Sequence, residues 1–289
     1  MNQIIQSIIE KLPHYMALMR MEKPIGWLLL LWPTLWALWI ASDGMPAPYL
    51  IWVFTFGVIV MRSAGCVIND FADRKFDPLV ERTKQRPIAA GLVQPKEAIV
   101  LFVVLCFIAL GLLLLLPKAV WPWSIPAVLI TIAYPFMKRF IQAPQAVLGV
   151  AFSFGMPMVY VACGKPFDFT LAVLFVMNFA WVIMFDTAYA MSDREDDLKI
   201  GVKSTAILFG KLDKAIIASL QLLVLILLLV IKNERALTNH FLISVVLVAG
   251  LFAYQQYLIK DRNPQNCFQA FLNNGWVGAI IWFGLLGSV

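Results

Sequence analysis

Two short acidic windows stand out in this sequence because their side chains repeat at one spacing. The windows are 69–77 and 186–197, and together they hold eight of the chain's 17 acidic residues. Oxygen-bearing side chains recur every four residues: Asn69, Asp73 and Asp77 in the first window, and Tyr189, Asp193 and Asp197 in the second. On a helix, this spacing places the side chains along one stripe, about 6 Å apart.

Carboxylates on two such helices would repel one another and raise each other's pKa values unless a cation compensates. Mg²⁺ is a hard cation that takes oxygen ligands, often one or two carboxylates together with the phosphates of a substrate. The paired windows therefore predict a site for Mg²⁺ and a phosphate-bearing ligand. The alternative is a pair of solvated helix ends.

The composition indicates which elements must position these windows. Of the 289 residues, 61% are apolar and 14% are charged, against about 25% charged in soluble domains. This excludes a soluble globule and a disordered chain. The four cysteines are far apart and there are only two histidines, which argues against a disulfide scaffold or a zinc site.

Apolar stretches of about 20 residues predict an all-α polytopic membrane protein with nine transmembrane helices around a central cavity. The predicted spans are 24–41, 49–69, 97–116, 120–137, 144–163, 169–189, 214–231, 241–259 and 268–288. Residues 1–19 are amphipathic and too polar to span, so an interfacial helix is expected there.

The basic residues predict the orientation of these helices. With the N-terminus in the cytoplasm, 18 of the 23 Lys and Arg residues fall on the cytoplasmic side, four fall outside, and Arg62 lies within a span. This asymmetry predicts a cytoplasmic N-terminus, cytoplasmic acidic windows and an outside C-terminus. It also explains the net charge of +6 without nucleic acid.

Matching residues 120 positions apart suggest an internal repeat. The pairs are Asp73 and Asp193, Asp77 and Asp197, Tyr134 and Tyr254, and Pro24 and Pro144. We expect a single domain, 1–289, made of a first four-helix repeat (20–140), a parallel second repeat (141–262) and a ninth helix (263–289). Two parallel copies would put both acidic windows on one membrane face.

Basic residues close to the acidic windows complete a predicted diphosphate site. They are Arg82, Lys84 and Arg86 after the first window, Lys199 and Lys203 after the second, and Lys138 and Arg139 at the end of the fourth span. Individually, only Lys138 and Arg139 exceed what membrane orientation already requires.

Arg62 lies about two helical turns inside the second span, where a charge is costly and is a functional candidate. Seven residues separate it from Asn69, so both lie on one stripe. It could form a structural ion pair with Asp186, or it could bind the carboxylate of a substrate. The sequence leaves both alternatives open.

These motifs resemble the UbiA superfamily of intramembrane aromatic prenyltransferases. The resemblance rests on Asn69-Asp70-x-x-Asp73-x-x-x-Asp77, on Asp193-x-x-x-Asp197 and on Tyr134-x-x-x-Lys138. Lys23 to Gly26, Arg86-Pro87, Tyr189 to Asp193 and Lys203 to Ala206 are similar to the 4-hydroxybenzoate polyprenyltransferases of ubiquinone biosynthesis.

The resemblance implies Mg²⁺-dependent transfer of a polyprenyl group from polyprenyl diphosphate to the ring carbon ortho to the hydroxyl of 4-hydroxybenzoate, in the bacterial inner membrane. It implies that Mg²⁺ is bound by Asn69, Asp73, Asp77, Asp193 and Asp197. The four aspartates and Arg139 would be the catalytic residues. Arg139, Lys138, Arg86 and Lys203 would hold the diphosphate, and Tyr134, Tyr189 and Arg62 would also contact substrate. A lateral opening to lipid would admit the tail.

Other functions remain open at this point. A secondary transporter would have repeats and intramembrane charges too, but its ligands would lie near the bilayer midplane. The acceptor could instead be a naphthoate, homogentisate or haem. A scaffold would leave the paired aspartates unexplained. Nothing in the sequence indicates an obligate protein partner. The group that accepts the proton lost by the aromatic ring could be Asp186, Asp193 or the expelled diphosphate.

Overall fold

The computed structural model describes residues 2–81 and 83–289, with side chains for all of these except residues 2–9 and Lys138. Regular structure in this part of the chain is helical, without a β-strand, so the predicted all-α class is confirmed. The helices are α1 (Asn2–Leu18), α2 (Ile25–Ala41), α3 (Pro48–Asp73), α4 (Pro95–Leu114), α5 (Trp121–Phe140), α6 (Pro144–Ser153), α7 (Gly155–Ala162), α8 (Phe169–Ile200), α9 (Thr205–Phe209), α10 (Asp213–Glu234), α11 (His240–Ile259) and α12 (Pro264–Leu286).

Seven helical segments in the described ranges are long and apolar enough to cross a membrane. They are Pro48–Asp73, Pro95–Leu114, Lys118–Met137, Pro144–Ala162, Phe169–Ile200, Thr205–Glu234 and His240–Ile259. α2 is apolar but has only 17 residues, and α12 is not among the seven. Length and apolarity therefore support seven of the nine predicted spans and do not establish the count of nine.

The helices pack in chain order around one cavity. Each of α2 to α6 contacts the next, α6 contacts α8, and contacts continue through α10 and α11 to α12, which closes the bundle on α2. Residues of α2 to α8 and of the start of α12 line the cavity, whereas no described residue of α10 or α11 does. Because α10 and α11 pack against α8 and α12 instead, the cavity wall contains fewer helices than the predicted ring of nine.

The fifth predicted span, 144–163, is two helices, α6 and α7, with a break at Phe154. Pro157 has no N–H for the carbonyl of Ser153 four residues earlier, and its ring crowds that carbonyl. Gly155 follows the break, where a Cβ would lie only 2.8 Å from Thr34 Oγ1 of α2. The break therefore lets α6 and α7 follow α2 closely.

The helices that carry the acidic windows extend beyond their predicted ends. α3 continues to Asp73, and α8 continues to Ile200, where Gly201 ends it in the left-handed conformation with φ of 71°. The 32 residues of α8 span about 48 Å, whereas the hydrocarbon core of a bilayer is about 30 Å thick. The second acidic window therefore lies on a helix end that projects past the apolar layer.

Polar side chains join the central helices within the apolar region. Trp181 Nε1 of α8 donates a hydrogen bond to Asn274 Oδ1 of α12 at 2.9 Å. Asn178 Nδ2 of α8 donates to Ser153 Oγ of α6, also at 2.9 Å. Because apolar burial drives helices together only weakly in lipid, such bonds and close packing must hold α8 between its neighbours.

The contact between α2 and α12 can be tested at Gly278. A Cβ there would overlap the ring of Trp32, and the Gly278 carbonyl accepts a hydrogen bond from Trp36 Nε1 at 3.1 Å. We expect Gly278→Ala to lower the free energy of unfolding by about 1–3 kcal/mol, because the two helices must move apart. Thermal unfolding of the purified protein in detergent measures this change.

Gly250→Ala in α11 is the matched control, because a Cβ at Gly250 meets no atom within 4 Å. Alanine also favours the helix over glycine, so this variant should unfold at the same temperature or higher. Equal destabilisation by both substitutions would contradict the packing argument.

Candidate active site

A cavity of about 1330 Å³ opens beside both acidic windows. Ten of the twelve residues that the sequence predicts for the site line it. They are Arg62, Asn69, Asp73, Asp77, Arg86, Tyr134, Tyr189, Asp193, Asp197 and Lys203. Two windows that are more than a hundred residues apart in the chain therefore line one cavity.

The first window is not one continuous helical stripe, which corrects the sequence prediction. α3 ends at Asp73, and Asp77 begins the 3₁₀ turn Asp77–Leu79 after a tight turn in which Phe76 N donates to Asp73 O at 2.7 Å. Asn69 Nδ2 donates to Asp73 Oδ2 at 3.4 Å. The reversal of the chain keeps all three side chains on the cavity wall although the helix has ended.

Arg86 lies against the acids of the first window. Its Nη1 is 3.0 Å from Asp77 Oδ1 and 3.1 Å from Asp70 Oδ1. Burial raises the pKa of Asp77 to about 6, Arg86 opposes this shift, and the neighbouring Asp70 and Asp73 add to it. The charged form of Asp77 is therefore costly here, and a bound cation would stabilise it.

The second window keeps the predicted stripe, because Tyr189, Asp193 and Asp197 all lie on α8 and line the cavity. The ring of Tyr189 packs against two rings of α12, with centroids 4.9 Å from Phe271 and 6.0 Å from Phe268. Asp193 and Asp197 are half-buried. Both side chains line the same cavity as the first window.

The donor set suits a hard cation that is shared with a ligand. Asn69, Asp73, Asp77, Asp193 and Asp197 offer only oxygen ligands apart from one amide nitrogen, which fits Mg²⁺. Within the described side chains, no group of three or more His, Cys, Asp or Glu residues is close enough to hold a metal ion alone. A metal here would need further oxygens from water and from phosphate, as Mg²⁺ commonly does.

The predicted basic residues occupy different positions around the mouth. Arg139 does not line the cavity; its Nη2 lies 3.6 Å from Asp73 Oδ1 and donates to Ala72 O at 2.7 Å. Lys203 lines the cavity and its Nζ donates to Phe140 O at 3.0 Å. The Lys138 side chain and Arg82 lie outside what the structure describes.

Arg62 lies deeper along α3 and faces the cavity. Its guanidinium carbon is 5.9 Å from the centre of the Phe152 ring, and its buried Nε has no hydrogen-bond partner. Asp186, the other member of the first alternative, lines the same cavity. Because buried donors normally have a partner, an unpartnered Nε in a residue that lines the cavity supports the second alternative for Arg62, an anionic group of a ligand.

Two residues beside the first window, Asp70 and Arg20, were not identified from the sequence as part of the site. Asp70 is only 1% exposed, and both of its carboxylate oxygens accept from Arg20 Nη2 at 2.8 Å. Arg20 follows α1, so the pair ties the N-terminal helix to the end of α3. The Asn69-Asp70 motif in the sequence contains Asp70, but no local pattern links it to Arg20, 50 residues away.

A family model and the relatives of known activity both assign the chain to the same family. The model of the UbiA prenyltransferase family matches residues 30–283. The 4-hydroxybenzoate octaprenyltransferase of Aeromonas hydrophila is 51% identical over 272 residues, covering 94% of this chain and 95% of that protein.

Solved structures share the fold at lower identity. A UbiA homolog from Aeropyrum pernix K1 is 22% identical with a TM-score of 0.79, covering 90% of this chain and 96% of that one. A UbiA homolog from Archaeoglobus fulgidus bound to GPP and Mg²⁺ is 17% identical with a TM-score of 0.72, covering 94% of this chain and 99% of that one. The chain therefore belongs to the UbiA prenyltransferase family, and it is an integral membrane enzyme that transfers prenyl groups.

Proposed function

We propose that the chain transfers a polyprenyl group from polyprenyl diphosphate to the ring carbon ortho to the hydroxyl of 4-hydroxybenzoate, with Mg²⁺, as a step of ubiquinone biosynthesis. The observation that carries this proposal is a single cavity whose mouth bears both acidic windows and whose interior bears Arg62. The oxygen ligands at the mouth suit a metal-bound diphosphate, and the guanidinium suits a carboxylate.

The acceptor is supported by two independent features. The relative from Aeromonas hydrophila, 51% identical along nearly the whole chain, is named for 4-hydroxybenzoate. The Arg62 guanidinium offers an unpartnered donor to a carboxylate inside the cavity. The cavity wall around Arg62 also includes Phe152 and Tyr134, which can pack against an aromatic ring.

The residues at the mouth of the cavity support polyprenyl diphosphate as the prenyl donor. Asn69, Asp73, Asp77, Asp193 and Asp197 would hold Mg²⁺, which when bound would neutralise negative charge on the departing diphosphate. The homolog from Archaeoglobus fulgidus is described as bound to GPP and Mg²⁺. In this chain Arg86 and Lys203 line the same mouth, and Arg139 stands against Asp73. Arg86, Lys203 and Lys138 would contact the diphosphate oxygens.

The residues of the chain then direct the transfer. The bond between the first prenyl carbon and the diphosphate oxygen breaks, and its electron pair leaves with the diphosphate. The ring carbon ortho to the hydroxyl forms the new carbon–carbon bond and loses its proton to Asp186, Asp193 or the expelled diphosphate. Arg62 would hold the ring in place, and the apolar wall excludes water that would otherwise capture the prenyl cation.

The deep part of the cavity is suited to the apolar tail. It runs along α3 from the acidic windows to Val53 and Phe54 and is also lined by Leu110 and Leu113 of α4, which packs against α3. α4 is highly apolar and mostly exposed, as a lipid-facing helix would be. We propose that the tail enters here from the lipid through a lateral opening.

The orientation of the enzyme follows from the same proposal. Counting α2 and α12 with the seven clearly apolar segments gives nine transmembrane helices in one domain, built as two parallel four-helix repeats and a ninth helix. The asymmetry of Lys and Arg supports a cytoplasmic N-terminus and cytoplasmic acidic windows in the bacterial inner membrane, with α1 at the interface.

Removing a metal-binding carboxylate should abolish most of the transfer. We expect Asp73→Asn and Asp193→Asn each to lower kcat/KM by about a hundredfold or more, because charge stabilisation of the leaving diphosphate is lost. Membranes containing the protein are given polyprenyl diphosphate and 4-hydroxybenzoate, with Mg²⁺ or with chelator, and the lipid extract is examined for prenylated hydroxybenzoate.

Glu195→Gln is the matched control, because Glu195 lies in the second window but is exposed and does not line the cavity. It should retain nearly full activity. Product that survives chelation would contradict the metal role, and product only with a naphthoate, homogentisate or haem acceptor would overturn the proposed acceptor.

Arg62 should determine recognition of the acceptor carboxylate. We expect Arg62→Ala to raise the KM for 4-hydroxybenzoate by about thirtyfold, since a hydrogen bond to a charged group contributes about 2 kcal/mol. The variant should also lose the preference of the native enzyme for 4-hydroxybenzoate over the uncharged 4-hydroxybenzamide.

Arg74→Ala is the control for Arg62→Ala, because Arg74 follows α3, stacks on Phe71 and does not line the cavity. Its KM should stay unchanged. An Arg62→Ala enzyme with unchanged KM and a lower unfolding temperature would show that Arg62 is structural.

A further inference from the structure

Asp213 is a fully buried carboxylate that the proposed reaction does not use. It is the first residue of α10 and is 0% exposed. A buried charge persists only when it is paired and hydrogen-bonded. Asp213 does not line the cavity, so substrate cannot supply its partners.

Two arginines and one backbone amide surround Asp213. Arg262 approaches with two nitrogens, Nε at 2.9 Å from Oδ2 and Nη2 at 2.7 Å from Oδ1. Arg194 Nη1 lies 3.1 Å from Oδ2, and the backbone N of Lys214 donates to Oδ1 at 2.7 Å. We call Asp213, Arg194 and Arg262 the Asp213 cluster; such a two-nitrogen arginine contact fixes geometry as well as charge.

The cluster joins three segments at the cytoplasmic end of the bundle. Arg194 belongs to α8, Asp213 to α10, and Arg262 to the turn between α11 and α12, where its φ is 54°. Two side-chain contacts to backbone carbonyls join the same turn to the start of α10. Arg262 Nη2 donates to Lys211 O at 3.0 Å, and Lys214 Nζ donates to Lys260 O at 2.7 Å.

The segment of α8 that the cluster holds is the segment that carries the second acidic window. Arg194 lies between Asp193 and Asp197, on the projecting end of α8, where Leu198 and Lys199 are exposed and packing is thin. Successive residues turn by about 100° around a helix, so Arg194 points away from the cavity while Asp193 faces it.

The turn that supplies Arg262 also leads into the neighbouring part of the cavity wall. Pro264, Gln265 and Phe268, at the start of α12, line the cavity. Because Arg262 is anchored on Asp213, the start of α12 and the end of α8 are fixed relative to one another. Tyr189 and Phe268, whose rings pack against each other, lie on these two segments.

We propose that Asp213 is a positioning residue for the second acidic window: through Arg194 and Arg262 it fixes the rotation of the α8 end so that Asp193 and Asp197 face the metal-bound diphosphate. The proposal rests on the proposed function. No member of the cluster lines the cavity, so each acts through other residues and none touches substrate. Metal ligands must be held within about 0.5 Å of their working positions, which a projecting helix end cannot ensure by itself.

The test measures metal binding without turnover, in the full-length protein in nanodiscs. Mn²⁺ replaces Mg²⁺ as an electron-spin-resonance probe and is titrated with inorganic diphosphate present. We expect Asp213→Asn to weaken Mn²⁺ binding by about tenfold, the usual effect of removing a group that orients metal ligands. Arg262→Lys keeps the charge but loses the two-nitrogen contact, so it should weaken binding less. This milder variant decides the matter if Asp213→Asn does not fold.

Asp43→Asn is the matched control. Asp43 also contacts two cations, Lys165 at 2.8 Å and Arg235 at 2.7 Å, but it lies at the other end of the bundle. Its removal should leave Mn²⁺ binding unchanged. In turnover assays, Asp213→Asn should raise the KM for polyprenyl diphosphate and leave the KM for 4-hydroxybenzoate unchanged, since Arg62 lies on α3.

Two results would overturn the positioning role: a lower unfolding temperature with unchanged Mn²⁺ binding in the cluster variants, or equal weakening in Asp43→Asn. These results leave the proposed function intact. If the unaltered protein itself does not bind Mn²⁺ with diphosphate, the metal role in the proposed function fails and the positioning role fails with it.

Discussion

The structure depends on one electrostatic constraint. Several carboxylates must be buried near one another at one end of a helical bundle whose remaining surface is mostly apolar. A buried carboxylate without a cation is strongly destabilising. Arg20 and Arg86 accordingly contact Asp70, Arg86 contacts Asp77, and Arg139 approaches Asp73. The loops and the N-terminal helix are held where these pairs require them.

This constraint also explains why most of the charges of the site lie at one end of the bundle. α3 and α8 carry their acids at their ends, where loops can bring arginines and where a metal ion and water can reach them. Arg62 of α3 and Asp186 of α8 lie deeper, and both line the cavity. The cavity therefore changes from charged to apolar along its length, which suits a donor with a charged head and an apolar tail.

Patterns of local periodicity predicted much of this arrangement. The spacing of Asp193 and Asp197 identified a helical stripe, and α8 carries it; the long apolar stretches identified most of the helices. Asp77 was placed wrongly on the same helix as Asn69, because the turn after Asp73 depends on a backbone contact that spacing does not reveal. Pro157 signals the break at Phe154 in the sequence, whereas the close approach of Gly155 to Thr34 is evident only from the packing of α2.

Ion pairs between residues far apart in the sequence could not be predicted either, because they too depend on how the helices pack. Asp213 meets Arg262, 49 residues away, and Arg20 meets Asp70, 50 residues away. In sequence these residues look like ordinary charges at helix ends. Cation and acid are matched only once the helices have packed, so no local pattern marks them.

The location of these pairs has a consequence for how the enzyme is made. The smaller apolar core contains Leu18, Ala64, Val67, Ile88, Val93, Ala98 and Leu105, and the Arg20–Asp70 and Lys11–Glu97 pairs lie in the same stretch of chain. Because chains emerge from the ribosome N-terminus first and fold as units, this stretch can complete the first acidic window early in synthesis. If the Asp213 cluster orients the second window as proposed, that window is complete only after Arg262 has been synthesised, and the two halves of the active site then form at different times.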